Sequence, residues 1–340
     1  MSSTGAAAVI GAGGWGTALA CVLGMCGHKV NLWARRAELA QHVQETRCNE
    51  VYLPGVTLPA SLRCTADPEE ALSGAELVVF STPAQAMGQV SAKVGRYVSP
   101  SAAVVSSSKG LEIATLRRMS QVLAESLGRP EDGGVAALSG PNFAAEVARG
   151  LPAATVVASA DEELNRGIRS WFASSRALRV YTRRDIVGVE LGGALKNVIA
   201  LVAGLVDGME LGLNARAAVI TRGLAEITRL GVAMGADALT FAGLSGMGDL
   251  VLTCTGQLSR NLWAGRELGK GRSLADILAG TPMVVEGVGT TRAAQLLAAE
   301  LGVEMPLTQQ MHEVLFDGKP ASEALSAVLR RSLRDEREFS

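Results

Sequence analysis

In the run GGALKNVIALVAGL, residues 192–205, Lys196 is the one charged side chain and is followed by Asn197. A lysine is seldom buried without a partner, and desolvation pulls its amine pKa down toward values useful for proton transfer. Two arrangements fit this segment: a desolvated amine that exchanges protons, or a stem lying along apolar surface with its head in water. On a helix, Leu195, Val198, Val202 and Leu205 share one face. Gly192, Gly193, Lys196, Ala200, Ala203 and Gly204 make another face of small residues, which lets a second group come close. In GLSGMGDLVLTCTGQLSRN, residues 243–261, Asp249 and Thr253 are four apart, so a helical turn would project a carboxylate and a hydroxyl together. Ser259 suits an N-cap for a helix ending at Gly269, with Arg260 and Asn261 in its first turn. A guanidinium beside unpaired helix N–H groups makes a phosphate site, although a capped surface helix with an ordinary arginine fits the same residues. Lys109, in VVSSSKGLE, is a second cation suited to an anionic or carbonyl-bearing substrate. SGPNFAAEV, residues 139–147, carries Gly140-Pro141 punctuation and reads equally as a cleft wall or a plain turn.

A different chemistry is written at the start of the chain. GAGGWG places Gly11, Gly13 and Gly16 in the G-x-G-x-x-G spacing. Gly11 permits the tight turn, Gly13 lets a pyrophosphate approach the backbone and Gly16 allows close helix-to-strand packing. A glycine-rich turn without a ligand is the alternative, but a strand before it and a helix after it favour a dinucleotide. The following strand ends in NLWARR, where an NAD site usually carries Asp or Glu. Arg35 and Arg36 there suit the 2′-phosphate of NADP, or stand as a solvated surface pair.

These residues need a scaffold. AAAVI (6–10), the glycine turn and GTALACVLGMCG read as strand, turn, helix, and HKVNLW (28–33) as a second strand. ELVVFS (76–81) and AAVVSSS (102–108) are compact β-rich runs; helices are expected around 84–97 and 115–127, and strands near 135–139 and 153–158. Lys109 then lies beyond the carboxyl end of a strand, where a doubly wound sheet places ligands. The alternation implies an α/β fold with a mostly parallel sheet covered on both faces. After RALRVYT (176–182) the pattern turns to long helices rich in Ala, Leu and Gly. The chain is therefore expected to divide near residue 190, into 1–190 and 191–340, with a long helix crossing the junction.

The bulk numbers agree with two domains, since 340 residues exceed what one core usually holds. A composition 48% hydrophobic, 4% aromatic and 19% charged argues against disorder and against stacking of single-stranded nucleic acid. A net charge of -1 supplies no bulk basic field for nucleic acid or an anionic membrane. Cys21, Cys26, Cys48, Cys64 and Cys254 show neither CxxC pairs nor metal-ligand spacing, so no metal is expected and reduced thiols in a cytoplasmic protein are. The N-terminus has no basic n-region. The apolar segment around Lys196 reads as too short and too interrupted by charge for a membrane span of about 20 residues. A soluble protein acting on a small molecule is expected, without nucleic acid or stable membrane insertion; the oligomeric state stays open, a homodimer included.

Taken in order, GAGGWGTALA, the SKGLE segment, SGPNFAAEV, ELGGALKNVIALVAG, NARAAVITRGLAEI, LSGMGDLVLTCTGQLSRN and VVEGVGTT span roughly residues 6–320. This set resembles the NAD(P)-dependent glycerol-3-phosphate dehydrogenase family of bacteria. The resemblance implies an N-terminal Rossmann domain, with a doubly wound, mostly parallel sheet, and a C-terminal all-helical domain. It implies interconversion of sn-glycerol 3-phosphate and dihydroxyacetone phosphate with NADP(H) or NAD(H), supplying glycerophospholipid backbones. Carried onto this sequence, the proton acceptor falls on Lys196, with Asp249 and Lys109 beside it in the catalytic set. Substrate contacts fall on Lys109, Gly140, Asn142, Asp249, Ser259, Arg260 and Asn261, with Asn197 and Thr253 as neighbours. Cofactor contacts fall on Gly14, Trp15, Arg35, Arg36, Tyr52, Lys109, Ala144, Arg260, Val284 and Glu286, joining Gly11, Gly13 and Gly16. Two positions depart from the family pattern, which commonly has a hydroxyl residue at Gly14 and Ser or Thr at Asn142. Gly14 would lose a side-chain donor but keep the backbone cradle, and Asn142 would hydrogen-bond through its amide. A related two-domain dehydrogenase acting on a hydroxy acid or sugar acid, using Arg260 for a carboxylate, is the alternative; a non-catalytic NAD(P)-binding module is another.

Overall fold

The computed structural model describes residues 4–329 and folds them as two compact units. One comprises the chain up to Ser108 together with Met119–Ile186; the other comprises Lys109–Arg118 and the chain from Val187 onward.

The strands of the first unit are β1 (Ala6–Ile10), β2 (Lys29–Trp33), β3 (Cys48–Asn49), β4 (Leu53–Thr57), β5 (Leu62–Thr65), β6 (Leu77–Phe80), β7 (Ala103–Ser106), β8 (Ala136–Ser139), β9 (Ala153–Ala158) and β10 (Leu178–Arg183). Eight of them form one sheet in the order β10-β9-β8-β7-β6-β1-β2-β5, and β3 and β4 pair as a separate hairpin. Every pairing in the large sheet is parallel except β8 with β9. Period-2 alternation sends Ala7 and Val9 into one apolar core and Ala8 and Ile10 into a second. Both faces are thus buried, which explains why these strands read as short continuous apolar runs. The chain runs outward from β1 through β2 to β5, then returns to β6 and runs the other way, so the order reverses between β1 and β6. The glycine turn leaves β1 at this switch point and enters α1 (Gly14–Met25). The remaining helices of this unit are α2 (Ala37–Thr46), α3 (Pro68–Leu72), α4 (Met87–Val94), α5 (Met119–Ser126), α6 (Ala144–Ala148) and α7 (Glu162–Ser170).

The second unit is helical: α8 (Ile186–Gly208), α9 (Gly212–Ala233), α10 (Ala238–Phe241), a π-turn over Leu244–Gly248, α11 (Asp249–Thr255), α12 (Arg260–Gly269), α13 (Leu274–Ala279), α14 (Glu286–Leu301), α15 (Pro306–Phe316) and α16 (Ala321–Leu329). Glycines let α8 and α12 approach backbone to backbone. A β-carbon at Gly204 would come within 2.2 Å of Leu262 O, and one at Gly265 within 2.1 Å of Leu201 O. Gly208 and Gly269 repeat the contact one turn further along.

Two expectations need correction. The helix read over 115–127 begins only at Met119; residues before it turn back so that Leu111 and Arg118 form an antiparallel bridge, with Leu116 at φ 57. The hairpin, β5, α2 and α3 lie outside the elements expected from the sequence. The segment around Lys196 is not too short to span a membrane, because α8 has 23 residues and a mean hydropathy of 1.7 in its most apolar window. Its surroundings are what distinguish it: 89% of that window is buried within the protein, as in the core helix of a globular fold. A second stretch, Ala238–Thr255, is also apolar and long enough, with 44% of its window buried.

Candidate functional site

In the first unit, the three spaced glycines do different work. Gly11 adopts φ +119, and a β-carbon there would lie 2.4 Å from Ser81 O. At Gly16 it would lie 2.0 Å from Gly11 O, so only hydrogen lets α1 seat against the turn. Gly13 differs: nothing lies within 4 Å of the space a β-carbon would fill. Gly13 is also the N-cap of α1, with no side-chain cap and no acidic residue in the first turn. A helix N-terminus without a side-chain cap, beside open space at Gly13, suits the charge of a diphosphate. The indole Nε1 of Trp15 is buried without a partner.

Arg35 and Arg36 are exposed beyond the end of β2. Arg36 Nη2 donates to the Tyr52 hydroxyl at 3.1 Å, and its guanidinium lies 5.8 Å from the ring centre. A β-carbon at Gly14 would meet Tyr52 O at 2.7 Å and the methyl of Ala144 at 3.8 Å. A hydroxyl residue at position 14 would thus require the Tyr52 turn to shift. That turn is held by Asn49, which the sequence reading did not single out. Asn49 is buried; its Nδ2 donates to Ala12 O at 3.0 Å and to Thr17 Oγ1 at 2.8 Å, and its Oδ1 accepts from Tyr52 N at 3.3 Å. No periodicity or spacing marks such a residue.

After β8, Gly140 runs close to β9: a β-carbon there would come within 2.9 Å of Thr155 Cα. Asn142 Nδ2 donates to Pro141 O and to Ala154 O, each at 2.9 Å, while its Oδ1 is buried without a partner. Two carbonyls fix the amide's orientation, so its donors are taken and what Asn142 retains is an acceptor. An acceptor suits a hydroxyl or amide donor rather than a phosphate oxygen.

In the second unit, Lys196 is buried, and its head is paired within the protein. Its Nζ donates to Asp249 Oδ1 and, at 2.8 Å, to Thr253 Oγ1. Lys109 Nζ donates to the other oxygen, Asp249 Oδ2, at 2.6 Å. Thr253 Oγ1 in turn donates to Asp249 O at 2.6 Å. One buried carboxylate thus lies between two ammonium groups, and the cluster carries a single net positive charge. The face of small residues has a backbone reason: a β-carbon at Gly192 would come within 2.6 Å of Ser245 O, in the π-turn that leads into Asp249. In that turn Gly248 N–H donates to Gly243 O at 3.1 Å, five residues back, and this wider turn aims the start of α11. Burial lowers the Lys196 pKa to about 8; Asp249 opposes the shift and Lys109 adds to it. Buried Cys254 has its thiol pushed up to about 12 by burial, so it adds no charge.

Asn197, next to the lysine, accepts through Oδ1 from Asn261 Nδ2 at 2.8 Å, and Asn261 Oδ1 accepts from Gly287 N at 2.9 Å. This joins α8 to the first turns of α12 and α14. Ser259 caps α12, its Oγ accepting from Leu262 N at 3.2 Å. Arg260 is exposed and donates through Nη1 to Val284 O at 2.9 Å. Val284 is itself exposed, and Glu286 opens α14. The expected residues therefore gather into a glycine turn with Arg36, Tyr52 and Ala144, a separate pair Gly140 and Asn142, a Lys109–Lys196–Asp249–Thr253 cluster, and a set around Asn197, Asn261 and Arg260. Chemically, the cluster offers a desolvated amine near neutral pKa, a carboxylate that orients it and a positive charge that attracts an anion. Among the described residues no group of three or more His, Cys, Asp or Glu side chains is placed to hold a metal ion.

Comparison with known proteins adds independent findings. The sequence model described as NAD-dependent glycerol-3-phosphate dehydrogenase N-terminus matches residues 6–165, and the one described as its C-terminus matches residues 185–326. The chain is 51% identical over 325 residues to an NAD(P)+ glycerol-3-phosphate dehydrogenase of Moorella thermoacetica, covering 95% of each chain. It is 49% identical to one of a Geobacter species, covering 97% of this chain and 98% of the relative. A crystal structure of glycerol-3-phosphate dehydrogenase from Coxiella burnetii superposes with a TM-score of 0.91 at 36% identity, covering 96% of this chain and 99% of that one.

Proposed function

The chain belongs to the NAD-dependent glycerol-3-phosphate dehydrogenase family, and from that premise we infer that it interconverts sn-glycerol 3-phosphate and dihydroxyacetone phosphate with NAD(P)(H). The observation that carries this reading is the match of both family halves along nearly the whole chain, which favours it over a hydroxy-acid or sugar-acid dehydrogenase. A bound nicotinamide nucleotide would supply the hydride chemistry at C2 of the three-carbon phosphate. In the reductive direction the Lys196 ammonium polarises the C2 carbonyl and gives its proton to the developing alkoxide, work typically worth 10²–10⁴ in rate. Asp249 and Thr253 orient the amine, and Lys109 adds charge that favours an anionic substrate. Arg260, with donors left beyond its bond to Val284 O, holds the phosphate and so fixes C2. Asn197 and Asn261 supply neighbouring amides. The glycine turn, Trp15 and Ala144 would hold the diphosphate region of the nucleotide, and Arg35 and Arg36 the 2′-phosphate of NADP. Reduced cysteines, a cytoplasmic location and a supply of backbone for phospholipid synthesis complete the proposal; it involves neither nucleic acid nor a membrane, and assembly as a homodimer is compatible with it.

The test is an initial-rate assay with dihydroxyacetone phosphate and each reduced nucleotide, run beside a panel of 2-keto acids. Turnover of dihydroxyacetone phosphate alone is expected. Turnover of a keto acid with none of dihydroxyacetone phosphate would overturn the substrate assignment.

A further inference from the structure

We propose that Arg118 and Glu190 are a positioning pair: their buried contact fastens the strap Lys109–Arg118 to α8 and so sets Lys109 against Asp249. The proposal deepens the reading above and rests on Lys196 being the proton-exchanging group. The strap leaves the first unit after Ser108 and re-enters it at Met119, yet folds with the helical unit. Lys109 at its first position reaches Asp249. Arg118 at its last position donates through Nη1 to Glu190 Oε2 at 2.5 Å, with side chains only 10% and 6% exposed. Between them Leu111 is fully buried in the helical core, with Ile113 and Leu116 packed against it. The strap closes on itself through Glu112 N to Arg117 O at 3.0 Å and Leu116 N to Glu112 O at 2.8 Å. Leu116 is held at φ 57, a conformation leucine keeps only when its surroundings impose it.

Packing alone does not call for charges at this point. Desolvating an arginine and a glutamate costs about what their attraction returns, and an apolar pair of the same volume would fill the space as well. An ion pair adds direction: it fixes which part of the strap meets which turn of α8. Glu190 lies six residues before Lys196 on that helix, a rise of about 9 Å. One rigid helix thus carries Lys196 directly and holds Lys109 through Arg118. The charged and titratable groups facing Lys196 are Asp249 and Cys254 of α11 and Lys109 of the strap. Releasing the strap would withdraw a like charge from Lys196 and leave Asp249 to it alone, so Lys196 would hold its proton to higher pH.

The experiment compares the parent with Arg118→Met/Glu190→Leu, which leaves neither partner as a lone buried charge, with Glu190→Gln, and with Arg118→Lys. Amide hydrogen exchange of residues 109–118, the pH profile of dihydroxyacetone phosphate reduction and the affinity for NADPH are measured for each. The double variant is expected to exchange its strap amides ~10-fold faster while it still binds NADPH, as a folded first unit does. Its kcat should fall about 10-fold or more, and the alkaline limb of the profile should move up by about one pH unit. Glu190→Gln should shift both readouts the same way by less, and Arg118→Lys should restore most of the parental profile. A folded double variant with parental exchange and profile overturns the proposal, as does one whose strap exchanges faster while the profile stays put. If the double variant does not fold, a parental profile in Glu190→Gln overturns it. A parent inactive on dihydroxyacetone phosphate would instead sink the functional reading, and strap exchange would decide the positioning by itself.

Discussion

An amine with a pKa near 8 changes its charge within the range in which either direction of the reaction can be followed. Burial and Lys109 favour the neutral form, Asp249 favours the ammonium, and the net shift is downward from the ordinary lysine value. Reduction needs the ammonium, so its rate should fall as pH rises through about 8; oxidation of glycerol 3-phosphate needs the neutral amine, so its rate should rise through about 8. Parallel profiles in the two directions would rule out Lys196 as the group being titrated. Lys196→Ala leaves Asp249 still paired with Lys109, so the fold should survive while the reduction rate drops by ~10²–10⁴ at unchanged NADPH affinity. Initial rates and fluorescence titration check both halves of that statement. Arg260→Leu removes a charged donor from an exposed site, and its main effect should be a KM for dihydroxyacetone phosphate higher by roughly 10- to 100-fold, in line with about 1.5–3 kcal/mol for a charged hydrogen bond.

Among the elements, the crossing of α8 and α12 is the most demanding contact, because carbonyls of one helix sit where β-carbons of the other would be. Gly265→Leu should overpack it, lowering stability by about 1–3 kcal/mol or more, read as a lower urea midpoint at unchanged slope. An unchanged midpoint would mean that the helices separate freely. The ends of helices follow a related rule. Ser259 caps α12 locally, as spacing predicts, whereas the N-terminus of α15 is served by Glu226 of α9, which accepts from Leu307 N at 2.6 Å and Thr308 N at 3.2 Å. The partners of that second cap are 81 and 82 residues apart in the chain.

At the scale of the whole molecule, the sheet-containing unit and the helical unit build separate apolar cores, and the glycine turn belongs to the first unit. Binding to the folded state alone should stabilise by about 2.7 kcal/mol at 100 times Kd, so NADPH should raise the thermal midpoint by a few degrees. Hydrogen exchange in β1, the turn and α1 should slow on adding the nucleotide. Arg35→Ala/Arg36→Ala should cut the shift caused by NADPH toward that caused by NADH; equal loss with both nucleotides would argue against contact with the 2′-phosphate.

What the sequence determined by itself is what local rules govern. The G-x-G-x-x-G spacing marks the turn, alternating strands and helices mark the sheet, and four-residue spacing puts Asp249 and Thr253 on one helical turn. Each of these reports on neighbours within a few residues, where chain geometry alone decides proximity. Tertiary structure decided the rest. It brought Lys196 and Lys109 onto a single carboxylate 53 and 140 residues away, sent residues 109–118 to the helical unit, and tied Tyr52 to the glycine turn through Asn49. It also buried α8, a helix that length and hydropathy alone would have allowed in a membrane. Partners so distant in sequence meet only because apolar faces pack in one particular way, and no local pattern records which faces those are.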